Sequence, residues 1–177
     1  MLRKNEQTSP GVPVEADALS AAGVAYVVFD EITPDAPIPL IERGIERNLE
    51  DPSPLFLVAS RGDDPGRFVE DFCNWQHNEA YRRVIFESAL PAAAGLLTGS
   101  RRIRLYHDHM LTKEPGTRAP TPWHQDMPYY CVDGMQTGSF WIPLDPVSEE
   151  TTLRLVLGSS LRAIANGAAV GTVIMLV

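Results

Sequence analysis

Apolar and polar positions along the chain change rhythm once, near residue 101. Before that point they recur at helical spacing. In PLIERGIERNLE (39–50), Leu40, Ile41, Ile45 and Leu49 fall at intervals that predict a helix with its charges outward. A second helical region is predicted over 66–88, GRFVEDFCNWQHNEAYRRVIFES, with Phe68, Phe72, Trp75, Tyr81 and Ile85 as its apolar marks. The small apolar stretch SALPAAAGLLTG (88–99) follows it. Upstream, AGVAYVVFDEI (22–32) is β-branched and aromatic and reads as a first strand, and the polar residues 1–16, with Pro10 and Pro13, read as a loose tail.

From Arg101 the period is 2. In RRIRLYHDHML, Ile103, Leu105, His107, His109 and Leu111 share one face of a predicted strand, and Arg104, Tyr106, Asp108 and Met110 share the other. EPGTRAPTP (114–122) is a turn-rich loop, PWHQDMPYY returns to extended structure, and the Asp-Gly at 133–134 marks a reversal. Further strands are predicted in 138–147, 152–158 and 169–177. Short strands behind a helical N-terminal third predict an α+β protein, a single domain over 1–177, with a jelly-roll core of paired sheets.

Composition narrows the function classes. The chain has 177 residues, 44% of them apolar, enough for one domain with a real core. Its formal net charge is −8, and no basic run is present to neutralise a phosphate backbone, so nucleic acid is not an expected partner. Cys73 and Cys131 are far apart and in no CxxC arrangement, which points to a reducing, cytoplasmic setting. No stretch approaches the roughly 20 apolar residues of a membrane span.

The histidines carry the candidate chemistry. His77 sits among polar residues with no acidic or histidine partner at i+4, and reads as a surface or capping residue. His124 and Asp126 are one residue apart in TPWHQDMPYY, so on a strand they project side by side. An imidazole and a carboxylate are two thirds of the 2-His-1-carboxylate triad of Fe(II) oxygenases. Taken alone, such a pair is far more often two solvated or mutually hydrogen-bonded polar residues.

The surrounding motifs add to this. Residues 104–160 contain a strand ending in a Lys-Glu-Pro-Gly turn, then PWHQD, an aromatic pair, FWIPLD and LRLVLGS in order. This run resembles the phytanoyl-CoA dioxygenase family of Fe(II)- and 2-oxoglutarate-dependent oxygenases. The resemblance implies that His124 and Asp126 bind Fe(II), and that Met110 and Trp141 line the pocket of the cosubstrate 2-oxoglutarate. Lys113 and Gln125 also match recurring family positions. Strand parity puts Met110 opposite His107 and His109, so these two histidines are expected to face away from that pocket and to be structural. Tyr129, Tyr130 and Phe140 are candidates for an apolar substrate wall, or are core aromatics.

The family's second metal histidine and its cosubstrate arginine have no counterpart here, since the four histidines are His77, His107, His109 and His124. The ending GTVIMLV is similar to the strand that precedes the missing histidine, which implies a jelly roll incomplete at its C-terminal end. Three functions remain in view: hydroxylation of a small organic substrate with a third group completing the iron site, a truncated and catalytically silent family member, and a cupin-like binding module using His107 and His109. The partner expected is a small molecule, and the pattern says nothing of oligomeric state.

Overall fold

The computed structural model describes residues 38–124, 126–131 and 137–154. The tail 1–16, the strands expected at 22–32 and 169–177, the reversal at 133–134 and Gln125 lie outside these residues.

Helix α1 spans Ile38–Glu50, where the apolar spacing predicts it. Its buried stripe is Ile41, Gly44 and Asn48, while Leu49 is exposed. Gly44 explains the rotation: a Cβ there would lie 2.5 Å from Tyr81 Cε1, so only glycine lets the neighbouring helix come so close. That neighbour, α2 (Glu79–Glu87), starts at Asn78, whose side chain accepts from the Tyr81 N–H and donates to the Gly44 carbonyl at 2.7 Å. One cap thus sets both the start of α2 and its seat on α1. Helix α3 (Leu90–Thr98) has proline in its first turn and ends at Gly99 in the left-handed region, φ 64°.

The sheet has three strands in the order β1 (Leu57–Val58), β2 (Phe68–Phe72), β3 (His109–Lys113), and both pairings are antiparallel. Phe72 lies opposite His109, Glu70 opposite Leu111 and Phe68 opposite Lys113. The helix predicted over 66–88 is therefore corrected: its first part is β2, and only Glu79–Glu87 is α-helical. A separation of four residues, as between Phe68 and Phe72, satisfies the helical period and the strand period alike. Pairing on both edges of β2 decides the matter, and Cys73, at φ 61°, then breaks the chain into a 3₁₀ turn at Asn74–Gln76. His77 is the exposed C-cap of that turn.

The core lies between the helices and one face of the sheet. Ile41, Tyr81, Val84, Ile85, Leu90, Ala93, Ala94 and Phe140 form its main cluster, with Ile142 and Leu144 packed against it. Each fully buried side chain of this kind stabilises the fold by about 1.5–3 kcal/mol. The strand predicted over 138–147 keeps the alternation of Phe140, Ile142 and Leu144, but it forms no ladder among the described residues. The same holds for 103–108, which runs extended into β3, and for 152–154, which closes a turn.

Two carboxylates are buried under the sheet. Asp71, fully buried, accepts from Asn48 Nδ2 at 2.7 Å, from the Ser53 N–H at 2.8 Å, from the Ser53 hydroxyl and from the Phe72 N–H. Burial pushes its pKa up, but the donors from Ser53, Asn48 and Phe72 together outweigh burial and hold it below the ordinary aspartate value. Asp108 accepts from the Asn74 and Trp75 N–H groups at 3.0 Å each, and burial leaves its pKa raised despite them. The architecture among the described residues is α+β, helices against a small antiparallel sheet. No helix there is long and apolar enough to cross a membrane.

Candidate functional site

The described residues 121–124 and 126–131 lie beside 106–113, joined to it by the hydrogen bonds of Lys113 with Thr121 and of Tyr106 with Cys131 and by the Tyr130 ring on Tyr106 and His107. The strand expected in this segment is corrected to a turn, since Met127–Tyr129 is a 3₁₀ turn closed by the Tyr129 N–H on the Asp126 carbonyl at 2.9 Å. Prolines at 120, 122 and 128 remove the N–H groups that a ladder would need.

The turn brings His124 and Asp126 together. His124 Nε2 lies 3.0 Å from Asp126 Oδ1, with both side chains more than a third exposed. His124 Nδ1 lies 2.7 Å from the Pro122 carbonyl. A carbonyl only accepts, so Nδ1 carries the proton of this bond and a neutral ring presents its lone pair at Nε2. A lone pair facing a carboxylate oxygen is repulsive unless a cation sits between them. A proton meets that need, and so does a metal, because two ligands on one ion at about 2.0–2.2 Å and a right angle lie roughly 3 Å apart. The carbonyl on Nδ1 is the outer partner that metal-bound histidines usually have. These donors fit two positions of an Fe(II) site. Among the described residues, no group of three or more His, Cys, Asp or Glu side chains is placed to hold a metal.

The remaining candidates are distributed around this pair. Met110 is 2% exposed and faces the helices beside Ile41, Ile45, Tyr81 and Asp108. The alternation holds at Asp108, His109 and Met110 but breaks at 105–106, since Leu105 packs against the helical core and Tyr106 reaches Tyr130 and Cys131. His107 and His109 lie on the other side of the strand from Met110, where His107 meets the Tyr130 ring. His109 Nε2 is 3.0 Å from Glu70 Oε2, and its ring stacks on Phe72 with centroids 3.9 Å apart. His107 is half-buried, with the Tyr130 ring edge-on at 5.9 Å. Burial lowers its pKa, helped by His109 and opposed by its own backbone and by Asp108 and Asp126, so the ring is a neutral part of the wall.

Tyr129 is exposed, its ring edge-on to His124 at 6.3 Å, whereas Phe140 belongs to the helical core. Tyr130 packs against both Tyr106 and His107, and burial raises its pKa, with Asp126 and Tyr106 adding to the rise. Lys113 Nζ donates to Thr121 Oγ1 at 3.1 Å and lies 4.6 Å from the Phe68 ring centre. Trp141 is half-buried beside Phe140. The contact that no sequence pattern announced is between Tyr106 and Cys131: the Cys131 N–H donates to the Tyr106 hydroxyl at 3.2 Å.

A family model described as phytanoyl-CoA dioxygenase matches residues 64–168, which is 105 of the 177 residues. That span contains β2, α2, α3, β3 and the whole of the His124–Asp126 turn. Comparison with curated proteins and with solved structures gives no match.

Proposed function

The chain belongs to the phytanoyl-CoA dioxygenase family, and from that premise we propose that it binds Fe(II) through His124 and Asp126 and, with 2-oxoglutarate as cosubstrate, hydroxylates a small organic molecule. The observation that carries this reading is the convergence of His124 Nε2 and Asp126 Oδ1 at 3.0 Å, inside the matched span, with Nδ1 held by Pro122.

The iron, when bound, supplies the activation of dioxygen that the protein's own side chains cannot perform. Asp126 contributes one negative charge to the site and His124 a neutral nitrogen. The Pro122 carbonyl fixes which nitrogen of His124 is free. His107 and Tyr130 lie close enough to Asp126 to feel its charge, Tyr129 stands edge-on to His124, and the exposed side of His124 and Asp126 is where a small substrate reaches them. In this reading Trp141 belongs to the cosubstrate pocket, with Lys113 and Gln125 at its margin, whereas Met110, expected there from the family resemblance, packs against the helices and backs the strand from the core side. In the same reading the matched region is part of a jelly-roll domain that works in a reducing, cytoplasmic setting, where the free thiols of Cys73 and Cys131 stay reduced.

Purified protein supplied with Fe(II) and 2-oxoglutarate is expected to form succinate above background. Equal turnover by wild type and His124→Ala sinks the reading. A second reading, a family member that binds metal or ligand without turnover, is favoured by the limit of two converging donors among the described residues. It predicts Mn(II) binding that depends on Asp126 with no succinate formed.

A further inference from the structure

Residues 121–131 hold both candidate metal ligands, yet they form no ladder with the sheet. Among the described residues, side-chain hydrogen bonds tie this segment to 106–113 at its two ends. Lys113 Nζ donates to Thr121 Oγ1 at one end. At the other, the Tyr106 hydroxyl accepts the Cys131 N–H at 3.2 Å and lies 3.4 Å from Cys131 Sγ. A phenol has one proton and acceptor lone pairs, so accepting the N–H leaves its own O–H free to point at the sulfur, and both contacts are made together. The Tyr106 ring packs on Tyr130 with centroids 4.8 Å apart, and the His107 ring lies beside both, 4.8 Å from Tyr106 and 5.9 Å from Tyr130. Tyr106 therefore grips two consecutive residues at the end of the turn.

Its grip reaches the site through the backbone. From Tyr130 the chain runs back through the 3₁₀ turn Met127–Tyr129, which closes on the Asp126 carbonyl. His124 is aimed separately, by the carbonyl of Pro122. Asp126 thus depends on the Tyr106 end of the segment and His124 on the Thr121 end. Tyr106 is 43% exposed, so its hydroxyl contacts are not core packing and their loss leaves no buried polar group unpaired.

We infer that Tyr106 is a positioning residue, a latch on Tyr130 and Cys131 that keeps the Asp126 carboxylate converged with His124. The latch rests on the proposal that this pair binds a divalent metal, and its test separates the two. Mn(II) titration of the full chain is run on wild type, Tyr106→Phe and Cys131→Ser, beside amide hydrogen exchange of the metal-free proteins. Tyr106→Phe keeps the ring and loses the hydroxyl; it is expected to bind Mn(II) about 10-fold or more weakly, as outer-shell partners typically require. Cys131→Ser keeps the backbone N–H and offers a hydroxyl in place of the thiol, and should stay within about threefold of wild type. Exchange over 126–131 should quicken in Tyr106→Phe alone, with unfolding midpoints unchanged. Wild-type Mn(II) affinity in Tyr106→Phe overturns the latch. Should wild type itself bind no Mn(II), the metal proposal falls and exchange decides: faster exchange over 126–131 in Tyr106→Phe supports the latch, and unchanged exchange overturns it.

Discussion

Two histidine–carboxylate pairs in this protein have the same separation and opposite settings. His109 and Glu70 meet at 3.0 Å with side chains 13% and 19% exposed, on neighbouring strands and under the Phe72 ring. His124 and Asp126 also meet at 3.0 Å, with 37% and 35% exposed, on a turn without a ladder. The first pair is held by the sheet register and by stacking, so each partner is used up in the fold. The second is held by one carbonyl and one distant phenol, so its open side faces solvent. A short N···O distance alone does not mark a site. What separates the pairs is how much of the surrounding structure depends on them.

The largest expected difference is in metal binding. Asp126→Ala should weaken Mn(II) binding at least about a hundredfold, or ~2.7 kcal/mol, since outer-shell changes alone cost metal sites 10–100-fold. Asp126→Asn, which keeps the shape and removes the charge, should lose about tenfold. Unfolding midpoints of both should stay near wild type, because the side chain is partly exposed and supports no core group. His109→Ala should leave Mn(II) affinity within about threefold of wild type. If His109→Ala abolishes binding as Asp126→Ala does, the two pairs are one site and the distinction drawn between them fails.

Next in size is Asp71, which follows Glu70 in β2 and faces the helices. Asp71→Ala strands the donors of Asn48, Ser53 and Phe72 and should cost about 2–3 kcal/mol in urea denaturation, with Mn(II) affinity kept. The pH dependence has a definite sign. Burial raises the Asp71 pKa, the hydrogen bonds from Ser53, Asn48 and Phe72 more than reverse this, and the folded value lies below the unfolded one. Its stabilisation is therefore present above the ordinary aspartate pKa and is lost as pH falls through the depressed value, below about pH 4. Asp71→Asn should flatten that acid limb. A limb as steep as that of wild type would place the acid sensitivity elsewhere.

Smaller again is His109→Ala, expected to cost about 1–2 kcal/mol through the lost Phe72 stack and the unpaired Glu70. The figure matters because it is a folding cost: the sheet pair should register in denaturation and not in metal titration, the reverse of Asp126.

How far each part could be read from the sequence follows from how local its cause is. Helix α1 was legible because Ile41 and its neighbours carry a period of their own, yet its true stripe, ending at Asn48 and not Leu49, depends on Tyr81 closing on Gly44. Strand β2 was misread because Phe68 and Phe72 suit both periods and its partners lie up to 45 residues away, at Lys113. His124 and Asp126 were legible as a pair by spacing, for a reason that the fold replaced: a proline-bordered turn does what strand parity was expected to do. The setting of Leu105 and Tyr106 was not legible, since alternation assumes a regular strand and 103–108 makes no ladder among the described residues. Tyr106 and Cys131 were invisible, because a phenol 25 residues from its partner leaves no pattern.

The smallest effect is the most discriminating. In Glu70→Gln the amide oxygen can accept from His109 Nε2 as the carboxylate does, and Phe72 still covers the ring, so only the charge is lost. The expected change in stability is within about 0.5 kcal/mol, the range of a surface substitution, with no change in Mn(II) affinity. The isosteric partner, Asp126→Asn, removes the same charge from the other pair and should cost it tenfold in metal. The sheet pair needs an acceptor of the right shape, which glutamine supplies. On the proposed metal reading the turn pair needs an anion, because Asp126 supplies the one negative charge of the site. Comparable losses of metal from the two amide variants would mean that Glu70 contributes charge to the same ion, and the wall beside His124 would have to be redrawn as part of its ligand set.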